Sequence, residues 1–179
     1  ILITTPFYVK IPNGKFSRLG HIKQSYQLTQ WYPKPAVYDK YGWHPMPYLD
    51  IGEFYSEFGA FKVTITLPKN YVVGATGNLI EESEQKWLDE IAERTAKIKS
   101  FNEDDIEIPV SSKELKTISF EEKNIHDFAW FADKRFHVLK GKVKLPNTGK
   151  EVTTWSMFTN YDATVWKKSI EYINDALYY

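Results

Sequence analysis

Apolar positions along this chain recur with two periods, and the switch between them marks out its elements. Over residues 54–67, Phe61, Val63, Ile65 and Leu67 alternate with Lys62, Thr64 and Thr66. That is the period-two pattern of a strand with one side on a core and one in water. Over residues 81–99 the period lengthens, and Leu88, Ile91, Ala92, Thr95 and Ile98 share one helical face. Glu81, Glu82 and Glu84 stand in the first turn and Lys97 and Lys99 in the last, as the helix dipole favours. Strand patterns resume at 115–120, 127–132, 136–143 and 152–158, the last two joined by the turn Pro146-Asn147-Thr148-Gly149. Pro68-Lys69-Asn70 turns the chain after the first long strand, residues 71–75 return it, and Gly74 and Gly77 mark a bend or bulge. Nearer the start, residues 7–11 read as a short strand between Pro6 and Pro12, with a hairpin turn at Asn13-Gly14. Residues 22–31 alternate again at Tyr26 and Leu28, and residues 102–112, acidic and then polar, read as a loop. A last helix is predicted from Asp162, a good N-cap residue, with Trp166, Ile170, Ile173 and Leu177 on one stripe and Lys167, Lys168, Glu171 and Asp175 opposite.

Between these elements lies a stretch that fits neither period. Residues 30–55 hold Trp31, Tyr32, Tyr38, Tyr41, Trp43, Tyr48, Phe54 and Tyr55, interrupted by Pro33, Pro35, Pro45 and Pro47. Each proline lacks a donor and pushes its predecessor out of the α region, so the stretch is extended chain and turn. So apolar a loop must pack on a sheet or line a surface that something else covers. Three readings stay open: a cover completing the β core, a platform for sugar rings, and an interdomain surface.

Composition narrows the function classes. The chain has 179 residues, 42% of them hydrophobic, enough for one domain that buries roughly 70% of its unfolded surface. The 23 basic and 23 acidic residues balance, so no basic field points to nucleic acid. Without cysteine there is no disulfide or thiolate chemistry, and no apolar run approaches membrane-spanning length. The chain opens without Met and closes inside a helical pattern, which reads as a piece of a longer protein.

Candidate chemistry is thin. His21, His44, His126 and His137 are never three or four residues apart, so there is no H-E-x-x-H pair, and no G-x-S-x-G, G-x-G-x-x-G or P-loop pattern occurs. Glu53 and Glu57 form the best carboxylate pair beside the aromatic stretch. Four residues of extended chain separate them by about 13 Å, beyond the roughly 5–10 Å that a glycosidase needs. Asp104-Asp105 and Glu121-Glu122 read as solvated surface.

The strings Gln30-Trp31-Tyr32-Pro33-Lys34-Pro35-Ala36-Val37-Tyr38-Asp39, Gly42-Trp43-His44-Pro45, Gly52-Glu53-Phe54-Tyr55-Ser56-Glu57-Phe58-Gly59, Val63-Thr64-Ile65-Thr66-Leu67-Pro68 and Val72-Val73-Gly74-Ala75-Thr76-Gly77 come in an order that carries a resemblance. Together they resemble the N-terminal β domain of bacterial zinc metallopeptidases of the aminopeptidase N family, with Ile125-His126-Asp127-Phe128-Ala129-Trp130 as a later strand. The resemblance runs from about Ser17 to the end. It implies that the last helix leads into a catalytic domain beyond Tyr179. The family's zinc motif, its G-x-M-E-N strand and its catalytic Tyr belong to that domain and have no match here, so zinc and hydrolysis are implied for the parent and no cofactor for this piece. Family members hold the substrate's amino terminus with a Gln or Glu nine residues before a proline, and counting back from Pro33 lands on Gln24.

The expected architecture is mainly β, an antiparallel β-sandwich or a curved, saddle-like sheet, with an inserted surface helix and a C-terminal helix. Residues 1–160 would form the N-terminal β domain, with the helical insertion at about 81–99, and residues 161–179 the first helix leading into the absent catalytic domain. Trp31, Tyr32, Trp43 and Trp166 are candidates for the surface that domain covers. The implied partners are the catalytic domain of the same polypeptide and a peptide substrate, and the resemblance leans toward the bacterial periplasm or cell envelope. The alternative is a carbohydrate-binding module stacking sugars on Trp31, Trp43 and Tyr48.

Overall fold

A computed structural model describes residues 1–14, 18–47, 49, 51–52 and 54–179. In chain order the elements are β1 (Leu19–Ile22), β2 (Ser25–Leu28), β3 (Val37–Asp39), β4 (Gly42–His44), β5 (Gly59–Pro68), β6 (Val72–Ala75), β7 (Asn78–Leu79) and α1 (Glu82–Ala96). There follow β8 (Leu115–Ile125), β9 (Trp130–Asp133), β10 (His137–Lys144), β11 (Glu151–Phe158), α2 (Ala163–Trp166) and α3 (Ser169–Tyr178). The described residues are mainly β, with several antiparallel pairings and a few helices, as the alternation of apolar and polar positions predicts. Their sheets run β1-β2-β9-β6, β3-β4, β5-β8-β7 and β10-β11.

The chain forms two units that interleave along the sequence. One comprises Ile1–Ile65, Val73–Asn78 and Ser119–Ala132, the other Thr66–Val72, Leu79–Ile118 and Asp133–Tyr179. In the second unit, α1 turns Leu88, Ile91 and Ala92 onto Val72 and Val138, with Trp87, Phe136, Trp155 and Met157 around them. Each large side chain buried this way contributes roughly 1.5–3 kcal/mol. Thr95, on the same helical face, is buried because its Oγ1 accepts the Val138 N–H at 3.2 Å. β10 and β11 pair over their full lengths, from His137↔Phe158 to Lys144↔Glu151. α3 lies against them at Gly141, where a Cβ would stand 2.5 Å from Ile170 Cγ2, so only glycine lets helix and ladder meet.

The first unit packs around Phe128, which is fully buried with the Phe61 and Phe120 rings against it. In the same unit Gly77 takes φ +90° at the bend after β6, where a Cβ would lie 3.0 Å from the Glu121 backbone.

Four expectations need correction. Residues 7–11 form no strand; Pro6 and Pro12, which have no N–H of their own, bound the segment at both ends, and β1 pairs with β2 instead. The hairpin turn is therefore Lys23-Gln24, with Lys23 at φ 51°, while Gly14 donates its N–H to the His21 carbonyl at 2.7 Å in an isolated parallel bridge region. β6 lies beside β9 and not beside β5. β5 instead takes β8 as its neighbour, matching Thr64 with Ser119 and Thr66 with Thr117 through hydroxyl pairs. The last helix is broken at Lys167-Lys168; Asp162 sits at φ 56° and caps nothing through its side chain, and the buried Ser169 hydroxyl donates to Ser156 Oγ at 2.6 Å, which restarts the helix on β11. Glu121 and Glu122 keep the surface setting expected of them, pairing with the exposed Lys62 and with Asn78 Nδ2 respectively.

Candidate functional site

The start of the aromatic stretch is pinned by the Asp127 carboxylate. Gln30, at φ 55°, turns the chain out of β2 and donates Nε2–H to Asp127 Oδ2 at 2.8 Å. The Tyr32 hydroxyl donates to Asp127 Oδ1 at 3.0 Å, and the Lys34 ammonium pairs with the same oxygen at 3.0 Å. Asp127 also accepts the Phe128 N–H at 2.8 Å, and the Phe128 carbonyl accepts the Trp31 indole N–H at 3.0 Å. Burial, and then the Asp127 charge, push the Tyr32 hydroxyl well above the ordinary tyrosine range, so it stays a donor. Trp31 meets Tyr32, Trp130 and Phe7 edge-on or tilted, at 5.3, 6.4 and 6.2 Å between ring centres.

Nothing in the strand pattern of residues 127–132 singled out Asp127 as a hub. The signal present was an aspartate standing directly before the run Phe128-Ala129-Trp130-Phe131, since a carboxylate in apolar surroundings needs partners.

Beyond Pro35 the loop forms the hairpin β3–β4 and a cleft of about 430 Å³ lined by Lys34, Pro35, His44, Met46, Phe54 and Tyr55 among others. Its polar edge is organised by Asp39, whose Oδ1 accepts the Tyr41 N–H and the His44 Nε2–H, each at 2.8 Å. Asp39 Oδ2 accepts the Tyr55 hydroxyl at 3.3 Å. The His44 hydrogen bond, then the Tyr41 N–H, hold the Asp39 carboxyl below the usual range, while partial desolvation and the Asp39 charge raise the Tyr55 hydroxyl. The arrangement orders a hairpin and gives the cleft donors and acceptors; no hydroxyl nucleophile is activated by it.

Acid should loosen this hairpin selectively. Because folding lowers the Asp39 pKa, the unfolded chain takes up the proton first, so the stabilisation is whole at neutral pH and drains away as pH falls below about 4. Amide exchange at residues 37–44, corrected for its intrinsic pH dependence, is expected to speed up there while β10–β11 stays protected. Asp39→Asn should abolish the difference; equal acid sensitivity of the two ladders would refute it.

The sequence-predicted site residues fall in different settings. Gln24 is exposed at the tip of the β1–β2 hairpin, separated from Trp31 by the length of β2, about 13 Å of strand. Trp31 and Tyr32 sit together, half-buried with their polar tips bonded. Trp43 is 69% exposed on β4, its ring 4.9 Å from that of Tyr38, which is 66% exposed. Trp166 ends α2 in the second unit, 49% exposed. Tyr48 and Glu53 lie outside the described residues, so the Glu53–Glu57 pair and the Tyr48 platform have no geometry here.

Each histidine has its own local setting. His21 Nδ1 bonds the Lys23 carbonyl at 2.9 Å, His44 meets Asp39, His126 lies against the Phe58 ring, and His137 meets Asn160. Among the described residues no three His, Asp or Glu side chains gather closely enough to hold a metal ion. Comparison with protein-family models, with curated proteins and with solved structures finds no significant match for this chain.

Proposed function

We propose that this chain is the N-terminal, non-catalytic β domain of a bacterial zinc metallopeptidase of the aminopeptidase N family. It caps the active-site cleft and helps place the amino end of a peptide, with Gln24 as the residue that reaches it. Zinc and the hydrolytic water belong to the catalytic domain of the same polypeptide, where the metal would generate the nucleophile. Closing the cleft from above excludes bulk water and strengthens every polar contact inside it. The observation that carries the reading is the meeting of two of its diagnostic strings. Gln30, Trp31, Tyr32 and Lys34 of the first bond Asp127 and Phe128 of the second, so residues nearly a hundred positions apart form one structural motif. Trp43 and Tyr38 then give an exposed aromatic pair for a neighbouring domain to cover.

The reading frame that carries this chain is expected to continue past Tyr179 into an H-E-x-x-H helix within about 150 residues, one ordinary domain length. A frame that ends without such a helix overturns the proposal. The same exposed Tyr38–Trp43 pair favours one other reading, a sugar-stacking module, from which Trp31 is withdrawn by its bonded indole. Saturable glycan binding that is lost in Trp43→Ala would establish that alternative.

A further inference from the structure

A second cleft, of about 310 Å³, lies within the second unit between α1 and the segment entering β10. Its floor is apolar, made by Val72, Trp87, Ile91, Ile98 and Phe136. Its rim carries the cations Arg94, Lys134 and Arg135 and the His137 imidazole, and among the described residues no carboxylate lines it. Most of that rim is already committed. Arg135 forks onto Asp133 at 2.6 and 2.9 Å, and the buried Lys134 ammonium donates to Ser111 Oγ at 3.1 Å beneath the Tyr71 ring. Asn160 Nδ2 donates to the Asp105 carbonyl at 2.9 Å, which leaves Asn160 Oδ1 to accept from His137 Nε2–H at 2.7 Å and so fixes that imidazole as a donor. The wall opposite α1 is equally built, because Asn70 holds both the Val110 carbonyl and the Ser112 N–H, at 2.9 Å each.

Arg94 is the exception. It is exposed in the last turn of α1, and its side chain makes no hydrogen bond or ion pair with any described residue, Glu90 one turn earlier included. A single open guanidinium fork above an apolar floor matches one planar carboxylate with a hydrocarbon or aromatic body. Phosphate, with more charge and no apolar part, would leave the floor uncovered and call for more than one open cation. The volume is at the small end for ligand sites and fits a body of about ten to fifteen non-hydrogen atoms.

We propose that the cleft between α1 and the start of β10 binds a small amphipathic monocarboxylate, its carboxylate on Arg94 and its apolar body over Trp87, Ile91 and Phe136. The site is separate from the peptidase reading and needs no catalytic domain.

The test follows the Trp87 indole resonance of the ¹⁵N-labelled chain, assigned with Trp87→Phe, through titrations with 4-phenylbutyrate, 4-phenyl-1-butanol and inorganic phosphate. The acid is expected to shift that resonance saturably, with the alcohol and Arg94→Gln each weakening binding at least about tenfold, the worth of one charge-assisted bidentate contact. Lys142→Gln, which removes an exposed cation on β10 paired with Glu151, should change nothing. Absence of a saturable shift, equal binding of the alcohol, unchanged affinity in Arg94→Gln, or displacement of the acid by equimolar phosphate would each overturn the proposal. Because Arg94 is solvent-exposed, its replacement leaves the fold intact and the result readable.

Discussion

Replacing Asp127 with alanine is expected to destabilise the chain by about 3–5 kcal/mol and to lower its unfolding temperature by roughly 10 °C. The size follows from what is left behind. The Asp127 side chain is 19% exposed and the Lys34 side chain 18%, so the ion pair is largely screened from water, and its loss leaves the ammonium beside the Tyr32 and Phe54 rings with the Ser56 hydroxyl, at 3.5 Å, in place of a counter-charge. Gln30 and Tyr32 lose an acceptor at the same time, each a group that costs about 1–3 kcal/mol when left unsatisfied and buried. Asp127→Asn separates charge from geometry, since one amide oxygen can still accept from Tyr32 or Gln30 but offers Lys34 no charge. Tyr32→Phe removes a single hydrogen bond and should cost about 1 kcal/mol. Chemical denaturation of the set checks the ranking alanine, then asparagine, then Tyr32→Phe. If Asp127→Ala falls within about 1 kcal/mol of the natural chain, the carboxylate is not what holds the aromatic stretch.

Glu84→Ala is expected to cost a similar amount, about 3–5 kcal/mol, by a different route. Glu84 and Lys116 form an ion pair with side chains only 10% and 11% exposed, and the Lys116 ammonium stands 4.0 Å above the centre of the Trp87 ring. Burial already lowers the Lys116 pKa although Glu84 and its charge pull it up. Without Glu84 the shift deepens. The sign is then fixed: the unfolded lysine keeps its proton to about pH 10.4, the folded one releases it earlier, and stability rises with pH between the two values. The deficit of Glu84→Ala should therefore shrink on going from pH 7 toward pH 10. Adding Lys116→Met to Glu84→Leu removes both charges and should restore most of the loss, because a buried pair replaced by apolar groups of similar volume is often neutral. A double variant no more stable than Glu84→Ala, or a deficit that does not depend on pH, would show that the pair acts through packing alone.

Both variants probe features that link distant parts of the chain, and there the sequence was least informative. α1 was legible because its evidence is local: the apolar face Leu88, Ile91, Ala92 and Thr95 is spelled out within one element, and those residues are buried. The alternation of residues 61–67 and the β10–β11 hairpin with its turn were legible for the same reason. The neighbour of β6 was not, because strand order depends on which long strand claims an edge, and β8 claimed that of β5 through Thr117 and Ser119. The break at Lys167-Lys168 was invisible too, since a helical stripe carries no record that Ser169 will bond Ser156 on another element.

For the candidate site the division is similar. Its composition is written in residues 30–55, where rings and prolines exclude a helix and demand a covering surface. Trp31 and Trp43 are nevertheless the same residue type in the same loop, and sequence alone cannot say which is sealed and which is open. That choice was made by a carboxylate and a carbonyl about a hundred positions later, Asp127 and Phe128, which bond the tips of Tyr32 and Trp31 and leave Trp43 on its hairpin in water. By itself the sequence determined the periods, the turns and the aromatic character of this protein, all set by neighbours in the chain. Only the tertiary structure decided which polar tips are satisfied and which apolar faces stay exposed, because a buried hydrogen bond belongs to two segments that meet only on folding.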